Sequence, residues 1–270
     1  MKSLIGVTGC SGSLGKILLR IGKKNNFVCF TGDIRNRDHV RNWIKKNNLK
    51  AVIHLAAIVP IKDVNSNKKK AKDVNFLGTK NIIDIVKESK VEWFFFSSTS
   101  HVYKSSFTKI SERSKKKPIS FYGKTKLLAE NYIVYHLNKS NIRYCIGRIF
   151  STSNKDQKKN YLVPDLKKRI KKAKKKVTLK NLNHYRDFIS MQEISKIILA
   201  LYKKKYQGIV NIGRGQGVHL KDIAKIICLK YKKRFQFEDN ERPSYLIANN
   251  SKLKRYFKFK KNIKLEKLIF

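Results

Sequence analysis

The chain has 270 residues, of which 41% are hydrophobic, and it carries 63 Lys and Arg against 18 Asp and Glu, a formal net charge of +45. This length can bury a substantial core, and no apolar run approaches the ~18 residues that a membrane-spanning helix needs. The basic residues are spread along the whole chain and Lys outnumbers Arg. We therefore expect a solvated basic surface that binds anionic surfaces weakly and has no specific nucleic-acid site.

Apolar runs alternate with helical patterns along the first 150 residues. The patterns predict strands at 3–9, 27–33, 51–59, 91–98 and 142–150, and helices at 16–24, 37–47, 74–89 and 124–139. Strands that are apolar on both faces and separated by helices are typical of a parallel sheet covered on both sides. The remainder predicts a polar loop (151–160), a basic helix (162–176), a strand leading into a helix (186–202), a strand (208–213), a helix (220–231) and an irregular tail.

A glycine motif lies between the first predicted strand and the first helix. "TGCSGSLG" places Gly9, Gly12 and Gly15 at G-x-x-G-x-x-G spacing. Glycine allows a tight turn and lets a pyrophosphate approach the backbone N–H groups at the positive end of a helix. The motif in this position predicts a dinucleotide cradle.

A tyrosine and a lysine stand four positions apart in "SFYGKTK", which places Tyr122 and Lys126 on one face of the predicted helix. Two other Tyr-x-x-x-Lys pairs occur, Tyr135/Lys139 and Tyr256/Lys260, so the spacing alone proves nothing. Only Tyr122 follows a strand that ends in hydroxyl residues, with Thr99 lying 23 positions before it. Because open α/β sheets bind ligands at the carboxyl ends of their strands, this relation predicts a proton-transfer site.

The four cysteines, Cys10, Cys29, Cys145 and Cys228, have neither C-x-x-C spacing nor clustered histidines. The sequence therefore indicates no zinc site and no disulfide framework, and a reducing cytoplasm is the expected location.

Together these stretches resemble the extended short-chain dehydrogenase/reductases, the NAD-dependent epimerase/dehydratase family that acts on nucleotide sugars. Ordered matches run nearly end to end: "TGCSGSLG", "GDIRN", "VIHLAA", "VNFLGTKNII", "FSSTSHVY", "YGKTK", "GRIF", "RDFI", "NIGRGQGVHLKDIA" and "RP". The resemblance implies a Rossmann-type doubly wound parallel sheet (1–150 and about 187–206) with a smaller C-terminal α/β substrate lobe (about 151–186 and 207–270). It also implies a homodimer.

The resemblance implies roles for three catalytic residues. Tyr122 would pass a proton to or from the sugar hydroxyl, and Thr99 would orient that hydroxyl. Lys126 would bind the nicotinamide ribose and lower the pKa of Tyr122 toward the working range.

The same resemblance implies binding residues. The NAD or NADP contacts, with NAD slightly preferred, would be Gly9, Gly12, Ser13, Leu14, Gly15, Asp33, Ile34, Arg35, Leu55, Ala56, Ala57, Asn75, Ser97, Tyr122 and Lys126. The contacts to the nucleotide-diphosphate sugar would be Ser98, Thr99, Arg148, Arg186 and Arg242, and no metal is expected. Asp33 would bind either ribose or adenine, and Arg35 and Arg37 would either accept a 2′-phosphate or be surface charges.

Two departures from the family pattern bear on the reaction. Only one strand and one helix fit between Gly22 and Ala51, and this short region favours a reductase, as do Arg35 and Arg37. Ser100 and His101 stand where 4,6-dehydratases have Asp-Glu. Dehydration is therefore not expected. The sequence slightly favours a C4-type epimerase over an NADPH-dependent 4-keto-6-deoxy nucleotide-sugar reductase. A non-catalytic NAD(P)-binding or anion-binding regulator would be expected to lack part of the catalytic triplet.

Overall fold

The computed structural model describes residues 4–153, 157, 161–260 and 265–270. In chain order the strands are β1 (Leu4–Thr8), β2 (Asn26–Cys29), β3 (Ala51–His54), β4 (Trp93–Thr99), β5 (Arg143–Ile149), β6 (Ser151–Ser153), β7 (Lys176–Lys180), β8 (His184–Ser190), β9 (Gly208–Ile212), β10 (Gly217–His219), β11 (Arg234–Glu238) and β12 (Ser244–Leu246). The α-helices are α1 (Ser13–Ile21), α2 (Arg37–Lys46), α3 (Ile61–Ser66), α4 (Lys68–Lys72), α5 (Gly78–Lys87), α6 (Phe121–Leu137), α7 (Leu162–Lys172), α8 (Met191–Lys203), α9 (Leu220–Lys230), α10 (Ser251–Lys254) and α11 (Leu265–Ile269).

Within these residues a parallel sheet of six strands runs in the order β2-β1-β3-β4-β5-β9. Side chains alternate across a strand, and β4 shows the consequence. Phe94 and Phe96 enter a core shared with α2, α5 and α6, whereas Trp93 and Phe95 enter a second core shared with α1 and α8. The expected doubly wound, Rossmann-type α/β sheet is thus confirmed.

A smaller C-terminal lobe stands beside the sheet. In it β8 pairs with β10, β12 and β6, β11 pairs with β7, and α7 and α9 enclose an apolar core around Ile170, Leu179 and Ile227. The predicted domain boundaries stay a prediction with two revisions. Because β9 is a strand of the main sheet, the second Rossmann segment extends to about Ile212. Because β8 pairs within the lobe, that segment begins after Ser190 and not at 187.

Several predicted elements have different bounds in the structure. The basic helix expected over 162–176 ends at Lys172, and β7 follows it. The strand expected over 51–59 stops at His54, and the supposedly irregular tail contains β11 and β12. Most of the predicted polar loop at 151–160 lies outside the described residues.

The expected absence of a disulfide is wrong, because Cys10 and Cys29 are bonded to each other. Parallel pairing of β1 with β2 sets Cys29 opposite Val7, next to the turn that carries Cys10. Sequence spacing could not reveal this neighbourhood. No helix in the described part of the chain is long and apolar enough to cross a membrane.

Candidate active site

The glycine motif forms the turn between β1 and α1. Gly9 has a φ of +75°, in the left-handed region that favours glycine, and the Gly12 N–H donates to the Gly9 carbonyl at 3.0 Å. A Cβ on Gly15 would collide with that carbonyl oxygen, so only glycine lets α1 start this close to the turn. The first N–H groups of α1, which begins at Ser13 and continues through Leu14, have no side-chain cap, which is typical of a helix start that binds a diphosphate; the turn and this helix start are called the cradle below.

The loop after β2 forms one wall beside this cradle. The Asp33 carboxylate accepts hydrogen bonds from the backbone N–H and the guanidinium of Arg35, with Nη2 2.6 Å from Oδ2. These bonds hold the pKa of Asp33 below its usual value. Ile34 is buried against Gly78, where a Cβ would collide with it. Arg37, the first residue of α2, lies 4.0 Å from Asp84 and 3.7 Å from Glu88, so both Arg35 and Arg37 face carboxylates.

Residues 55–57, which follow β3, form the opposite wall. The Thr8 hydroxyl accepts the N–H groups of Leu55 and Ala56, both at 3.2 Å, and lies 2.7 Å from His54 Nδ1. Burial lowers the pKa of His54 to about 3, with the nearby Lys126 acting in the same direction. His54 is therefore a neutral residue packed in the sheet, and Ala57 continues the wall half-buried.

Asn75 connects this wall to the catalytic helix. It is fully buried in a π-helical turn, Asp73–Leu77, that leads into α5. Its side chain accepts the Ile58 N–H at 2.8 Å and donates to the Ile58 carbonyl at 3.0 Å and to Thr125 at 3.3 Å. The structure therefore places Asn75 as a brace between the cofactor wall and α6.

The three predicted catalytic residues come together at the carboxyl end of β4. Thr99 is the last residue of β4, and its hydroxyl lies near enough to the phenol of Tyr122, in the first turn of α6, to lower the pKa of that phenol. Lys126 follows one turn later, with Nζ 4.0 Å from the centroid of the Phe96 ring. Ser120 caps the helix by accepting the Gly123 N–H at 3.1 Å, which fixes the direction in which Tyr122 points.

The electrostatics of this triplet differ from the sequence expectation. Burial raises the pKa of Tyr122, the Tyr161 phenol acts in the same direction, and the Thr99 hydroxyl opposes both. Burial also lowers the pKa of Lys126 from 10.5 to about 7, with Glu130 opposing. The expected lowering of the Tyr122 pKa by Lys126 is therefore not found, because the same apolar surroundings disfavour both charges.

Ser98 and Arg148 lie behind the triplet, away from the expected substrate. Ser98 donates to Glu130, and Arg148 binds Glu130 with Nη2 2.6 Å from Oε2, both side chains being nearly inaccessible. Arg148 also donates to the Tyr103 hydroxyl at 2.8 Å. The structure thus uses this pair to seat a buried carboxylate, and it does not bring either residue to the site surface. Ser97, in contrast, is half-buried on the other face of β4.

Arg186 and His101 lie near the triplet on its lobe side. Arg186, on β8, donates to the Ser244 carbonyl and hydroxyl, each at 2.9 Å, and burial lowers its pKa to about 10. The His101 ring stands 6.1 Å from the Tyr122 ring, and burial and the charge of Arg186 lower the pKa of His101 to about 4. Arg242 is exposed in the loop before β12.

Comparison with known proteins gives consistent results. The family described as GDP-mannose 4,6 dehydratase matches residues 12–269. The chain is 30% identical over 222 residues, 78% of this chain and 74% of the relative, to a GDP-6-deoxy-D-talose 4-dehydrogenase of Aggregatibacter actinomycetemcomitans. It is 27% identical to a UDP-glucuronate 4-epimerase of Thermodesulfobacterium geofontis, over 74% of this chain and 62% of that one.

The chain belongs to the NAD-dependent epimerase/dehydratase family of extended short-chain dehydrogenase/reductases. The fold agrees with this assignment. A Thermus thermophilus UDP-glucose 4-epimerase with NAD superimposes with a TM-score of 0.84 at 18% identity, over 98% of this chain and 96% of that one. RMD of Pseudomonas aeruginosa with NADPH superimposes with a TM-score of 0.86 at 18% identity, over 99% of this chain and 96% of that one. As a member of this family, the chain is an NAD(P)-dependent enzyme of nucleotide-sugar metabolism.

Glu130 is a further buried residue of the site, and the family motifs do not mark it. It follows Tyr122 and Lys126 at positions i, i+4 and i+8 of one helix, so the same face of α6 carries all three. This spacing was visible in the sequence and could have marked Glu130 as a buried residue of the site.

Proposed function

We propose that the chain reduces the 4-keto group of a nucleotide-diphosphate sugar, using NADH or NADPH. The protonation of Tyr122 carries the proposal. Burial raises the pKa of its phenol although the neighbouring Thr99 hydroxyl acts in the opposite direction, so Tyr122 stays protonated at neutral pH. A protonated phenol is the form that a keto reduction needs, because the new alkoxide must receive a proton.

Each residue of the triplet has a role in this reaction. The bound dinucleotide would supply the hydride to the keto carbon. Tyr122 would donate its proton to the keto oxygen, which Thr99 orients. Lys126 lies one turn further along the same helix face and would stabilise the resulting phenolate. The glycine turn fits such a cofactor, because Gly9 adopts the left-handed conformation of a tight turn and the missing Cβ of Gly15 lets α1 begin against the Gly9 carbonyl.

Two further observations support reduction over elimination. Ser100 and His101 occupy the positions after Thr99, and neither supplies a carboxylate for removal of water. His101 is neutral above its pKa of about 4. The relative named as a GDP-6-deoxy-D-talose 4-dehydrogenase, by its name, acts at position 4 of a nucleotide sugar.

A 4-epimerase is the second candidate, and the loop after β2 favours it. Arg35 is joined to Asp33 by a two-pronged hydrogen bond, and Arg37 faces Asp84 and Glu88. A 2′-phosphate would have to displace Asp33 from Arg35. This arrangement supports NAD over NADP, and an epimerase recycles NAD within one turnover. A relative named as a UDP-glucuronate 4-epimerase agrees with this alternative.

One experiment separates the two reactions. The enzyme would be given 4-keto-6-deoxy sugars carried on GDP, UDP and dTDP, with reduced cofactor deuterated at nicotinamide C4. Reduction predicts one equivalent of cofactor oxidised per product and deuterium on sugar carbon 4. A parallel reaction supplies the corresponding 4-hydroxy sugars with NAD⁺, and their interconversion as 4-epimers without net change in the cofactor would overturn the proposal in favour of the epimerase.

A pair of matched variants tests the site itself. Tyr122→Phe should abolish turnover and preserve cofactor binding. Tyr135→Phe, an exposed tyrosine with the same spacing to a lysine, should keep full activity. Full activity of Tyr122→Phe would refute the assignment of the proton donor.

We further propose a homodimer that forms through α6. This helix exposes Leu128 at 45% and Tyr135 at 65%, and their i, i+7 spacing places both on one face, as packing against a second helix requires. Analytical ultracentrifugation should show a dimer for the native chain and a shift toward monomer for Leu128→Glu. A native monomer at high concentration would refute this.

A further inference from the structure

The disulfide between Cys10 and Cys29 lies inside the cofactor cradle. Cys10 is the residue after Gly9, in the turn that receives the diphosphate, and Cys29 is the last residue of β2. Their Cα atoms are 6.0 Å apart, a separation that suits a disulfide without backbone movement. Both residues are half-buried, whereas the remaining cysteines, Cys145 and Cys228, are buried thiols.

The bridge connects the two parts of the site that contact different halves of a dinucleotide. On one side it holds the turn that begins at Gly9 and leads to the start of α1, whose first N–H groups are expected to bind the diphosphate. On the other side it holds the end of β2, four residues before Asp33 in the loop expected to meet the adenosine. The bond therefore fixes the separation between the diphosphate cradle and the adenosine wall.

Cys10 and Cys29 also fit the structure as reduced thiols. The Cys10 sulfur lies 3.2 Å from the Val7 carbonyl oxygen, close enough for its thiol to donate a weak hydrogen bond. Val7 is the β1 residue opposite Cys29. The β1–β2 pairing ends at Val7 and Cys29, just before the glycines, so the bridge extends the connection between β2 and the turn.

We propose that Cys10 and Cys29 form a reversible disulfide whose oxidation raises the affinity of the cradle for its dinucleotide. A preorganised site loses less conformational freedom when the ligand binds, and the bridge preorganises the turn and the β2 end together. By linkage, the bound dinucleotide stabilises the disulfide against reduction by the same factor. The inference concerns the dinucleotide site and holds for either sugar reaction.

The chemistry requires an external low-molecular-weight disulfide such as oxidised glutathione. One cysteine, as its thiolate, attacks a sulfur of that disulfide and releases one external thiolate. The second cysteine thiolate then attacks the mixed disulfide, forms the Cys10–Cys29 bond and releases the second external thiolate. Two electrons pass to the external disulfide, and the two cysteine protons appear on the released thiols.

The test measures binding and mass, and does not depend on turnover. The full-length protein is equilibrated with either reduced or oxidised glutathione, and intact mass after alkylation reports the bridge. Calorimetric titration with NAD⁺ and with NADP⁺ then gives Kd for each form. We expect oxidation to tighten binding of the preferred dinucleotide by about three- to tenfold, the size expected when a few side chains need no longer be ordered.

Variants provide the controls. Cys29→Ser lies outside the glycine turn, so it should bind the dinucleotide with the affinity of the reduced protein under both conditions. The double variant Cys145→Ser/Cys228→Ser retains the pair and should respond as the native chain does. Equal or weaker binding by the oxidised protein would overturn the proposal, and so would a chain that never forms the bridge. If the redox effect appears but no sugar is converted, only the proposed reaction fails.

Discussion

Replacing Lys126 by methionine should change how the stability of the protein depends on pH. Lys126 is 2% exposed above the Phe96 ring, and burial lowers its pKa from 10.5 to about 7. Methionine is of similar length and packs well against an aromatic ring, so the substitution removes the charge and creates little cavity.

The size of the effect follows from the two pKa values. Between pH 7 and pH 9 the unfolded chain keeps this lysine protonated, whereas the folded chain has released the proton. Because the unfolded state binds more protons, stability rises with pH by up to about 1.4 kcal/mol per unit. Native protein should therefore gain about 2–3 kcal/mol relative to Lys126→Met over this range. The raised pKa of Tyr122 acts with the opposite sign, but only above about pH 10, where an unfolded tyrosine ionises.

Urea denaturation at pH 7, 8 and 9 provides the measurement, with the free energy of unfolding of each variant subtracted from that of the native chain. Lys139→Met is the matched control, because Lys139 also stands four residues after a tyrosine but is exposed. Its difference from the native chain should stay flat with pH. A flat difference for Lys126→Met would show that Lys126 remains charged in the folded protein and would refute the reasoning.

Two further substitutions probe the ion pair behind the site and the cradle. Glu130→Gln leaves Arg148 buried without its counter-charge and should lower the free energy of unfolding by about 3–5 kcal/mol in urea denaturation. The control Glu88→Gln breaks an exposed ion pair and should lower it by less than about 1 kcal/mol. Equal losses would contradict a structural role for Glu130. Gly15→Ala would drive a methyl group into the Gly9 carbonyl. It should weaken dinucleotide binding at least about tenfold, or about 1.4 kcal/mol. Unchanged affinity in a calorimetric titration would argue against the cradle.

The part of the site that could be predicted consists of residues whose relation is local or set by a strand end. The glycine turn is contiguous, and Tyr122 and Lys126 lie on one helix. Thr99 ends an apolar strand, and parallel strands of one sheet present their carboxyl ends at the same edge. These relations depend on periodicity and sheet topology alone, so the sequence was sufficient to bring the three residues together.

Ser98 and Arg148, which the family resemblance predicted as substrate contacts, are buried away from the surface of the site. The alternation of side chains along a strand could have indicated this from the sequence. Side chains alternate across a strand, so Ser98 must face away from Thr99. Arg148 pairs in register with Ser98, and both side chains therefore point to Glu130 on α6. A motif carried over from relatives records which positions match, but it does not record the face of the sheet on which each side chain lies.

Other features depend on tertiary packing that no local pattern encodes. β7 follows a helix rich in lysine, a good helix former, so the pattern predicted that the helix would continue to residue 176. The preference for the epimerase also changed at this level. The "NIG" and "RP" motifs fit both reactions, whereas the protonation of Tyr122 depends on how deeply the fold buries it.

Arg186 offers the most direct test of how the nucleotide sugar is bound, because residues of the C-terminal lobe already hold its guanidinium in place. Among the described residues, three of its N–H contacts go to protein atoms, the Tyr185 carbonyl and the carbonyl and hydroxyl of Ser244, each at 2.9 Å. A guanidinium has five N–H groups, so two remain to bind a diphosphate, and the contacts to β12 hold the plane of the fork.

Lysine at this position keeps the charge but cannot form two parallel bonds. Arg186→Lys should therefore raise KM for the nucleotide sugar by at least about tenfold, equal to about 1.4 kcal/mol, and leave dinucleotide affinity unchanged. Arg242→Lys should have a smaller effect, because Arg242 is exposed and its side chain is free to reorient. Steady-state kinetics and calorimetry on the same preparations supply both numbers. If KM responds equally to both substitutions, the advantage attributed to the fixed Arg186 guanidinium does not exist, and charge alone accounts for recognition of the diphosphate.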